Sequence, residues 1–441
     1  MRRCIAQRYG SGPIFEGLPH VDAAFPLSRM KALILTSMQP SLSMEHRVGI
    51  THRFQLFLDA IAQVARAVRI VHIVPEALVA AQGDLAALSR QQSAFWGREV
   101  AVSLIPRRVR GETAFDHYAR GVARAAEQPP FSSFAGPEQA ARVARMVGAE
   151  APELLFVHRM QAMCALLRAG PEVARRAGRM FFDLDDVEHR VQVRSVLAPP
   201  RWPGKLAYLS HIPALFAAER RGAMLAERTF VCSERDRVHL ARLGVPRVAV
   251  VPNALPMPAV PPGVCAAPVL MFIGAYEYPP NAEAAERLVR RVFPLVRRQV
   301  PGARLLLAGK GAEGVGALAS GVPEGVEVLG FVPDLAGLYA GTRVVVCPLS
   351  NGGGTRLKLV EAALYARPIV STRMGAEGLD FADGVEVVLR DDDAGFAEAC
   401  VALLRDDAAC ARLGAAARVR AEGAYEAGRI VARVRGMMAP G

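Results

Sequence analysis

Glycines, basic side chains and a glutamate are concentrated in PLSNGGGTRLKLVEAALYARPIVSTRMGAEGL, residues 348–379. The pattern predicts a strand, a tight turn, a helix and a second strand, and the turn consists of Gly352, Gly353, Gly354 and Thr355. Glycines reach backbone conformations that other residues avoid, and the free amides at the start of a helix attract phosphate oxygens. Arg356 and Lys358 can neutralise a diphosphate, and Glu361 can accept hydrogen bonds from ribose hydroxyls. The segment predicts a binding site for a nucleoside diphosphate.

A second group of polar residues lies in the first half of the chain, where two apolar segments end. His158 and Arg159 follow the first, and we expect them to emerge into a cleft, although a histidine at a strand end is equally often structural. The second continues into DLDDVEHR, which contains Asp183, Asp185, Asp186, Glu188, His189 and Arg190. Carboxylates at this density can bind a hard metal ion or cap a helix, and for Asp185 the helix cap is the favoured interpretation.

A competing motif is GKGAEG (309–314), which follows an apolar segment and has the G-x-G-x-x-G spacing of dinucleotide-binding loops. The acidic residue that such sites need is Glu327, which stands at the start of the next predicted strand instead of its end. The motif also follows the second strand of its half and not the first. We therefore expect no nicotinamide or flavin cofactor, and we assign Gly309 and Gly311 to a loop near the nucleotide base.

The elements that must position these residues are short apolar strands that alternate with helical stretches. The strands predicted in the first half are 31–37, 68–75, 99–106, 153–159, 179–186, 228–234 and 247–253, with a helix capped by Thr51 after the first and a helical insertion at 107–150. Those in the second half are 269–276, 303–310, 326–332, 342–349, 368–372 and 385–390. The pattern predicts two open parallel sheets covered by helices, whose ligands bind beyond the carboxyl ends of the strands.

We accordingly divide the chain into five parts. They are an N-terminal extension (1–29), a Rossmann-like domain (30–252), a Pro-rich linker (253–268), a second, nucleotide-binding Rossmann-like domain (269–424) and a C-terminal helix (425–441) that packs back on the first domain. The extension has no helix or strand period and lacks the apolar core of a signal peptide. We expect it to be a frayed segment or the result of a start codon placed too early.

The composition excludes several classes of protein. With 52% hydrophobic and 22% charged residues the chain is globular. No apolar run reaches the about 18 residues that a membrane-spanning helix needs. The 7 cysteines lack the paired spacing of a zinc site or a disulfide framework. Scattered thiols favour a cytoplasmic protein.

The positive charge of the chain is confined to its first half. Residues 1–250 hold 34 Lys and Arg against 22 Asp and Glu, whereas residues 251–441 hold 20 of each. No nucleic-acid-binding motif accompanies the arginines, so we expect no nucleic acid partner. Two interpretations stay open: peripheral contact with an anionic membrane surface or a phosphate-bearing lipid at the inner membrane face, and a basic composition that has no partner.

The segment around the glycine turn resembles the donor site of family 4 glycosyltransferases, particularly bacterial sugar transferases of polysaccharide assembly. The resemblance lies in GGGTRLKLVEA, followed by PIVST and GAEGL. Three other segments are similar to that family: VVPNALP, VLMFIGAYEYPPNAEA and VLGFVPDLAGLYAGTRVVVCPL. Over about residues 30–430 the resemblance implies the GT-B fold, in which two Rossmann-like domains face a cleft.

The resemblance also implies roles for donor-side residues. Glu361 matches the second glutamate of the family's Glu-x7-Glu pattern, which holds the ribose. The first glutamate contacts the transferred sugar in the family, and its position is occupied here by Gly353. An Arg and a Lys that the family carries early in the donor domain are missing, and Arg356 and Lys358 are the expected substitutes. Gly274 and Gly309 are expected to line the nucleotide site.

On the acceptor side, the resemblance makes Asp186 and His158 the candidates for polar groups near the anomeric carbon. The implied reaction moves a sugar from a nucleoside-diphosphate sugar to a hydroxyl of a glycan or lipid-linked acceptor, with retention at the anomeric carbon and without metal or cofactor. Two alternatives stay open. One is a nucleotide-sugar epimerase, and the other is a non-catalytic protein that binds sugar nucleotides or a partner transferase, which would account for the missing glutamate.

Overall fold

The computed structural model describes residues 30–40, 49–81, 83–107, 130–131, 133–197, 206–258, 263–319, 321–352 and 355–439. The predicted N-terminal extension (1–29) therefore lies outside the described residues. So do Gly353 and Gly354 of the glycine turn, residues 108–129 of the predicted insertion and residues 259–262 of the Pro-rich linker.

The first sheet contains seven described strands, all parallel, in the order β3-β2-β1-β4-β5-β6-β7. They are β1 Lys31–Thr36, β2 Ala67–Pro75, β3 Ala101–Arg107, β4 Leu154–His158, β5 Arg179–Asp185, β6 Arg228–Val231 and β7 Val248–Val250. The order of strands reverses between β1 and β4. In open sheets of this kind the crevice for a ligand lies beyond the strand ends at that point.

Helices cover both faces of this sheet. They are α1 Gly49–Ala62, α2 Glu76–Ala81, α3 Leu85–Trp96, α4 Pro137–Glu150, α5 Met160–Ala169, α6 Pro171–Arg175, α7 Glu188–Leu197, α8 Ile212–Leu225 and α9 Glu234–Arg242, with a 3-10 turn at Ala207–His211. Phe54 and Phe57 of α1 are fully buried and pack on one face, where Phe57 meets Phe156 and Phe230 at ring distances of 4.7 and 5.2 Å. The opposite face is covered mainly by α4, α5 and α8.

The second sheet contains six described strands, also parallel, in the order β10-β9-β8-β11-β12-β13. They are β8 Val269–Ile273, β9 Arg304–Ala308, β10 Val326–Gly330, β11 Val344–Cys347, β12 Ile369–Ser371 and β13 Val388–Leu389. The surrounding helices are α10 Pro279–Arg287, which continues through a π-helical turn at Leu288–Val292 into α11 Phe293–Gln299, then α12 Leu335–Ala340, α13 Leu357–Leu364, α14 Asp393–Arg405 and α15 Asp407–Tyr425. The predicted fold class, with two doubly wound parallel sheets, is confirmed.

The last helix, α16 Ala427–Met438, leaves the second domain and packs against α1 of the first. Its apolar side chains Ile430, Val434 and Met438 are at most 3% exposed and belong to the same core as Phe54 and Phe57. The Arg179 guanidinium of β5 holds the end of the helix through the carbonyl oxygen of Met438 at 2.7 Å. The core of the first domain therefore contains a helix that follows the second domain in the sequence.

Two local predictions were wrong. Helix α1 includes Gly49 and Ile50, so Thr51 lies inside the helix and does not cap it. The Thr51 side chain is buried there. Apart from β2, which begins one residue earlier than predicted, the strands are also shorter than their apolar segments, because the hydrogen-bonded ladder stops where a loop turns away while the buried sequence continues. Every helix in the described part of the chain is too short or too polar to span a bilayer.

We predict that Ile430→Ala destabilises the first domain by about 2–4 kcal/mol, because it empties a buried site in the core against α1. Denaturant unfolding followed by circular dichroism measures the change. Val419→Ala on α15 is the control, since Val419 is 71% exposed and its loss should matter little. Equal stability of the two variants would contradict the packing of α16 described above.

Candidate functional site

The loops at the carboxyl ends of the two sheets face each other across a cleft. The first domain contributes Asp186, Arg190, Arg194, Ser233, Arg235 and Asp236, and the second contributes Thr355, Glu377 and Gly378. In the second domain the loops after β8 and β11 lie side by side, because these two strands are neighbours at the point where the strand order reverses. The predicted donor segment therefore opens at the crevice of its own sheet.

The donor loop connects β11 to α13. Gly352 has φ +123°, and a Cβ placed there would lie 3.1 Å from Arg356 Nη2 and 3.2 Å from Tyr278 Oη, so a glycine is required. Helix α13 begins at Leu357. Arg356 is therefore its N-cap residue, although the glycine-turn pattern had led us to expect Arg356 inside the first turns of the helix. Its guanidinium is 8% exposed, beside the turn whose next two glycines, Gly353 and Gly354, lie outside the described residues.

Lys358 lies over the end of β8. Its Nζ donates to Asn281 Oδ1 at 2.8 Å and stands 4.3 Å from the centre of the Phe272 ring. A Cβ on Gly274 would come within 2.8 Å of this amine, so glycine makes room for it. Burial lowers the pKa of Lys358 to about 8. A cation that has lost water in this way binds an incoming anion more strongly than an exposed one.

Gly309 serves the same region through its backbone. Its φ is +124°, and a Cβ would lie 2.0 Å from the carbonyl oxygen of Gly274, so the loops after β8 and β9 can approach this closely only because position 309 is glycine. The G-x-G-x-x-G motif that starts here continues into a 3-10 turn at Ala312–Gly314 and not into a helix. Because a dinucleotide fingerprint needs that helix, the motif is a packing feature of these loops.

Glu361 on α13 is held from one side by Tyr339. The Tyr339 hydroxyl donates to Glu361 Oε2 at 2.9 Å, and the Tyr339 ring stacks on Tyr365 at 4.4 Å. Burial raises the pKa of Glu361, and the hydrogen bond from Tyr339 opposes that rise. The hydrogen bond from Tyr339 thus fixes the orientation of the Glu361 carboxylate. No sequence pattern pointed to Tyr339, which is 22 residues from Glu361.

On the acceptor side the strand end of β5 is organised by a buried arginine that the sequence analysis missed. Arg53 of α1 is 1% exposed and donates from Nε to Asp183 Oδ2 at 2.9 Å and from Nη2 to Asp183 Oδ1 at 2.5 Å. Burial alone would lower the pKa of Arg53, but the Asp183 carboxylate raises it well above its usual range. The sequence pattern of α1 shows only its apolar face, so Arg53, a charged residue next to Phe54, resembles a surface residue in the sequence.

Asp185 belongs to this cluster and does not cap a helix. It is the last residue of β5, with φ +62°, and α7 begins three residues later at Glu188. Its Oδ1 lies 3.2 Å from Arg53 Nε and accepts from Cys232 Sγ at 3.0 Å. The capping interpretation was wrong because the carboxylate is used by a charge partner from a distant part of the chain.

His158 does not emerge into the cleft. It is fully buried at the end of β4, with Nδ1 2.8 Å from Thr36 Oγ1 and its ring 5.1 Å from that of Phe54. Burial lowers the pKa of His158 to about 3, so the imidazole is neutral. The expectation of exposure failed because α1 lies across the ends of β1 and β4. Its neighbour Arg159, 27% exposed, extends toward Asp185 instead.

Asp186 is the acidic residue of this segment that lines the cleft. Burial raises its pKa to about 7, and the neighbouring Asp185 carboxylate adds to the rise. Arg159 and Arg356 act in the opposite direction, which places the donor-loop guanidinium within electrostatic reach of Asp186. Of the two acceptor-side candidates, the structure brings Asp186 to the donor loop and keeps His158 beneath it.

Direct contacts join the two walls of the cleft. The Asn253 side-chain amide donates to Thr355 Oγ1 at 2.8 Å. Glu377 of the GAEGL loop accepts from Arg194 at 2.5 Å and forms a second ion pair with Arg235. Among the described residues, no group of three His, Cys, Asp or Glu side chains has the arrangement of a metal site. Independence of metal remains a prediction.

Comparison with known proteins agrees with this architecture. Residues 267–406 match the family model described as glycosyl transferases group 1. An uncharacterized 44.6 kDa protein in the cps region of Klebsiella pneumoniae is 26% identical over 136 residues, which are 29% of this chain and 35% of that protein. The match thus spans about a third of the curated relative's length.

Solved structures resemble the whole chain. HepE of Anabaena, in complex with UDP and glucose, is 12% identical with a TM-score of 0.59, covering 93% of this chain and 99% of HepE. The sucrose-phosphate synthase of Thermosynechococcus elongatus is 15% identical with a TM-score of 0.62, covering 92% and 97%. TarM is 10% identical with a TM-score of 0.64, covering 92% and 98%. The chain therefore has the GT-B fold of these structures, and its second domain resembles the family described as glycosyl transferases group 1.

Proposed function

We propose that this protein transfers a sugar from a nucleoside-diphosphate sugar to a hydroxyl acceptor in the cleft between its domains. The observation that carries the proposal is the electrostatic proximity of Asp186, on the first-domain wall of the cleft, to Arg356 of the donor loop, which also acts on Lys358. Arg356 and Lys358 would provide cations for a diphosphate, and Glu361, further along the same helix and oriented by Tyr339, would accept hydrogen bonds from ribose hydroxyls. Supporting it, the matched family consists of glycosyltransferases.

The chemistry that these groups favour is displacement of the diphosphate. As the bond to the anomeric carbon breaks, negative charge grows on the departing phosphate and positive charge on the sugar. Preorganised donors aimed at the leaving group supply the largest stabilisation in such reactions. Arg356, Lys358 and the first amides of α13 take that role, and a carboxylate at Asp186 stabilises the sugar or orients the acceptor hydroxyl. Retention of anomeric configuration is the outcome that the family resemblance favours.

The similar proteins suggest which donor and which pathway to test first. HepE was solved with UDP and glucose, so uridine nucleotides are the first donors to test. The relative in a cps region supports a role in polysaccharide assembly. The +12 charge of residues 1–250 fits a lipid-linked acceptor at an anionic membrane surface.

A binding screen followed by turnover tests the proposal. Purified protein is titrated with UDP-, GDP-, ADP- and CMP-linked sugars, and release of the nucleoside diphosphate is then followed with the donor that binds. Turnover with added glycan or lipid acceptor supports the transferase. Binding of a donor that is neither hydrolysed nor transferred would favour the non-catalytic alternative. That alternative is considered because Gly353 replaces the glutamate that contacts the sugar in the family.

We predict that Glu361→Ala weakens UDP binding by about 1–3 kcal/mol, because it removes the acceptor for the ribose hydroxyls. Isothermal titration calorimetry gives the affinity. Glu398→Ala, at an exposed position of α14, is the matched control and should bind as the wild type does. Unchanged affinity in Glu361→Ala would rule out the ribose contact.

We predict that UDP affinity falls by roughly tenfold between about pH 7 and about pH 9. The pKa of Lys358 is about 8, so the amine is charged below that pH and binds the diphosphate fully, and it becomes neutral as the pH rises. Lys358→Arg should abolish most of this dependence, since a guanidinium stays protonated. A wild-type profile as flat as that of Lys358→Arg would show that the amine does not contact the diphosphate.

We predict that Asp186→Asn lowers turnover by about a hundredfold, because a charge that faces the reacting sugar is lost, and leaves UDP affinity within about threefold. Steady-state kinetics and calorimetry on the same preparation separate the two effects. Parallel losses of turnover, affinity and melting temperature would instead mean that Asp186 supports the structure of the β5–α7 loop.

A further inference from the structure

The side-chain amide of Asn253 joins the two domains at a buried position. Its Oδ1 accepts from Arg53 Nη1 at 3.2 Å, and its Nδ2 donates to Thr355 Oγ1 at 2.8 Å. Asn253 is 8% exposed. Because a guanidinium has only donors, the amide oxygen must face Arg53, and the NH2 group is then directed at the donor loop. The orientation of this amide is fixed by its surroundings.

The first end of this connection is rigid. Besides Asn253, Arg53 binds both oxygens of Asp183 and donates from Nη1 to the carbonyl oxygen of Val251 at 2.8 Å. Asp183 lies on β5, three residues before Asp186, the carboxylate that faces the cleft. The guanidinium therefore holds the strand end of β5 and the segment after β7 at one fixed separation.

The second end lies in the donor loop. Thr355 comes directly before Arg356, the N-cap of α13, and directly after the glycine turn. A Cβ on Gly378 would be 3.1 Å from Thr355 Cγ2, so the GAEGL loop also packs on this threonine. The hydroxyl bonded to Asn253 therefore gives the donor loop a fixed point one residue before Arg356, the N-cap of α13.

We propose that Asn253 is a positioning residue that sets the donor loop against the acceptor-side carboxylates, through the relay Asp183–Arg53–Asn253–Thr355. The inference rests on the proposed function and adds to it the hydrogen bond by which the first domain positions the donor loop. The Thr355 hydroxyl then serves the domain interface and not the nucleotide, to which the sequence had assigned it.

Four variants and a control test the relay. Asn253→Ala and Thr355→Val each break the cross-domain hydrogen bond, the double variant combines them, and Thr355→Ser keeps the hydroxyl. Arg433→Gln is the matched control, because Arg433 Nη2 donates to the Val250 carbonyl oxygen at 2.7 Å, next to the relay but outside it. For each protein we would measure UDP affinity, turnover with the donor that binds, and hydrogen–deuterium exchange of residues 355–364 without ligand.

The relay predicts that Asn253→Ala and Thr355→Val each lower turnover by about tenfold, the value of one hydrogen bond lost in the transition state. The double variant should be no worse than the poorer single one, since both break the same contact. UDP affinity should stay within about threefold, Thr355→Ser should recover most of the turnover, and exchange in residues 355–364 should be faster in both single variants but not in Arg433→Gln.

Two results would overturn the inference. Weaker UDP binding in Thr355→Val but not in Asn253→Ala, with additive effects in the double variant, would mean that Thr355 binds the nucleotide directly. Unchanged exchange in both single variants would mean that the hydrogen bond does not hold the loop. Exchange needs no substrate, so it tests the relay even if no donor is turned over, an outcome that would count against the proposed function alone.

Discussion

The buried ion pair between Arg53 and Asp183 is the interaction on which the arrangement of the cleft depends. Removing two charges from water costs several kcal/mol each, and the attraction between them offsets this only when geometry and further hydrogen bonds are favourable. Here the guanidinium is satisfied by Asp183, the Val251 carbonyl oxygen and Asn253, with Asp185 alongside. The same bonds tie α1, the end of β5 and the segment after β7 to one point. Losing one partner of such a pair costs about 3–5 kcal/mol.

The two histidines at the neighbouring strand ends add no positive charge next to this ion pair. His72, Thr36, His158 and Asp183 lie side by side across four neighbouring strands. Burial lowers the pKa of His72 to about 4 and that of His158 to about 3, so neither adds a positive charge beside Arg53. Asp186 lies outside this row and lines the cleft. The row thus places two uncharged imidazoles next to the ion pair.

Sequence reasoning succeeded where the information is local. The alternation of apolar segments predicts both sheets, and the contiguous run from Gly352 to Glu361 predicts the donor loop, because the turn, the cations and the helix are neighbours in the chain. It failed where partners are distant. Arg53 and Asp183 are 130 residues apart, and Arg194 and Glu377 are 183 apart, with no periodic pattern to link them. The strand period places His158 on the correct face of β4, but it cannot show that α1 covers that face.

The return of α16 to the first domain affects the order in which the protein can be completed on the ribosome. The core beside α1 needs Ile430, Val434 and Met438, which are synthesised after the whole of the second domain. The second domain, by contrast, lies in one uninterrupted stretch and has its own core. Domains fold as units during synthesis, usually starting from the N-terminus. In this chain the first domain can complete its core only after the second domain has been synthesised.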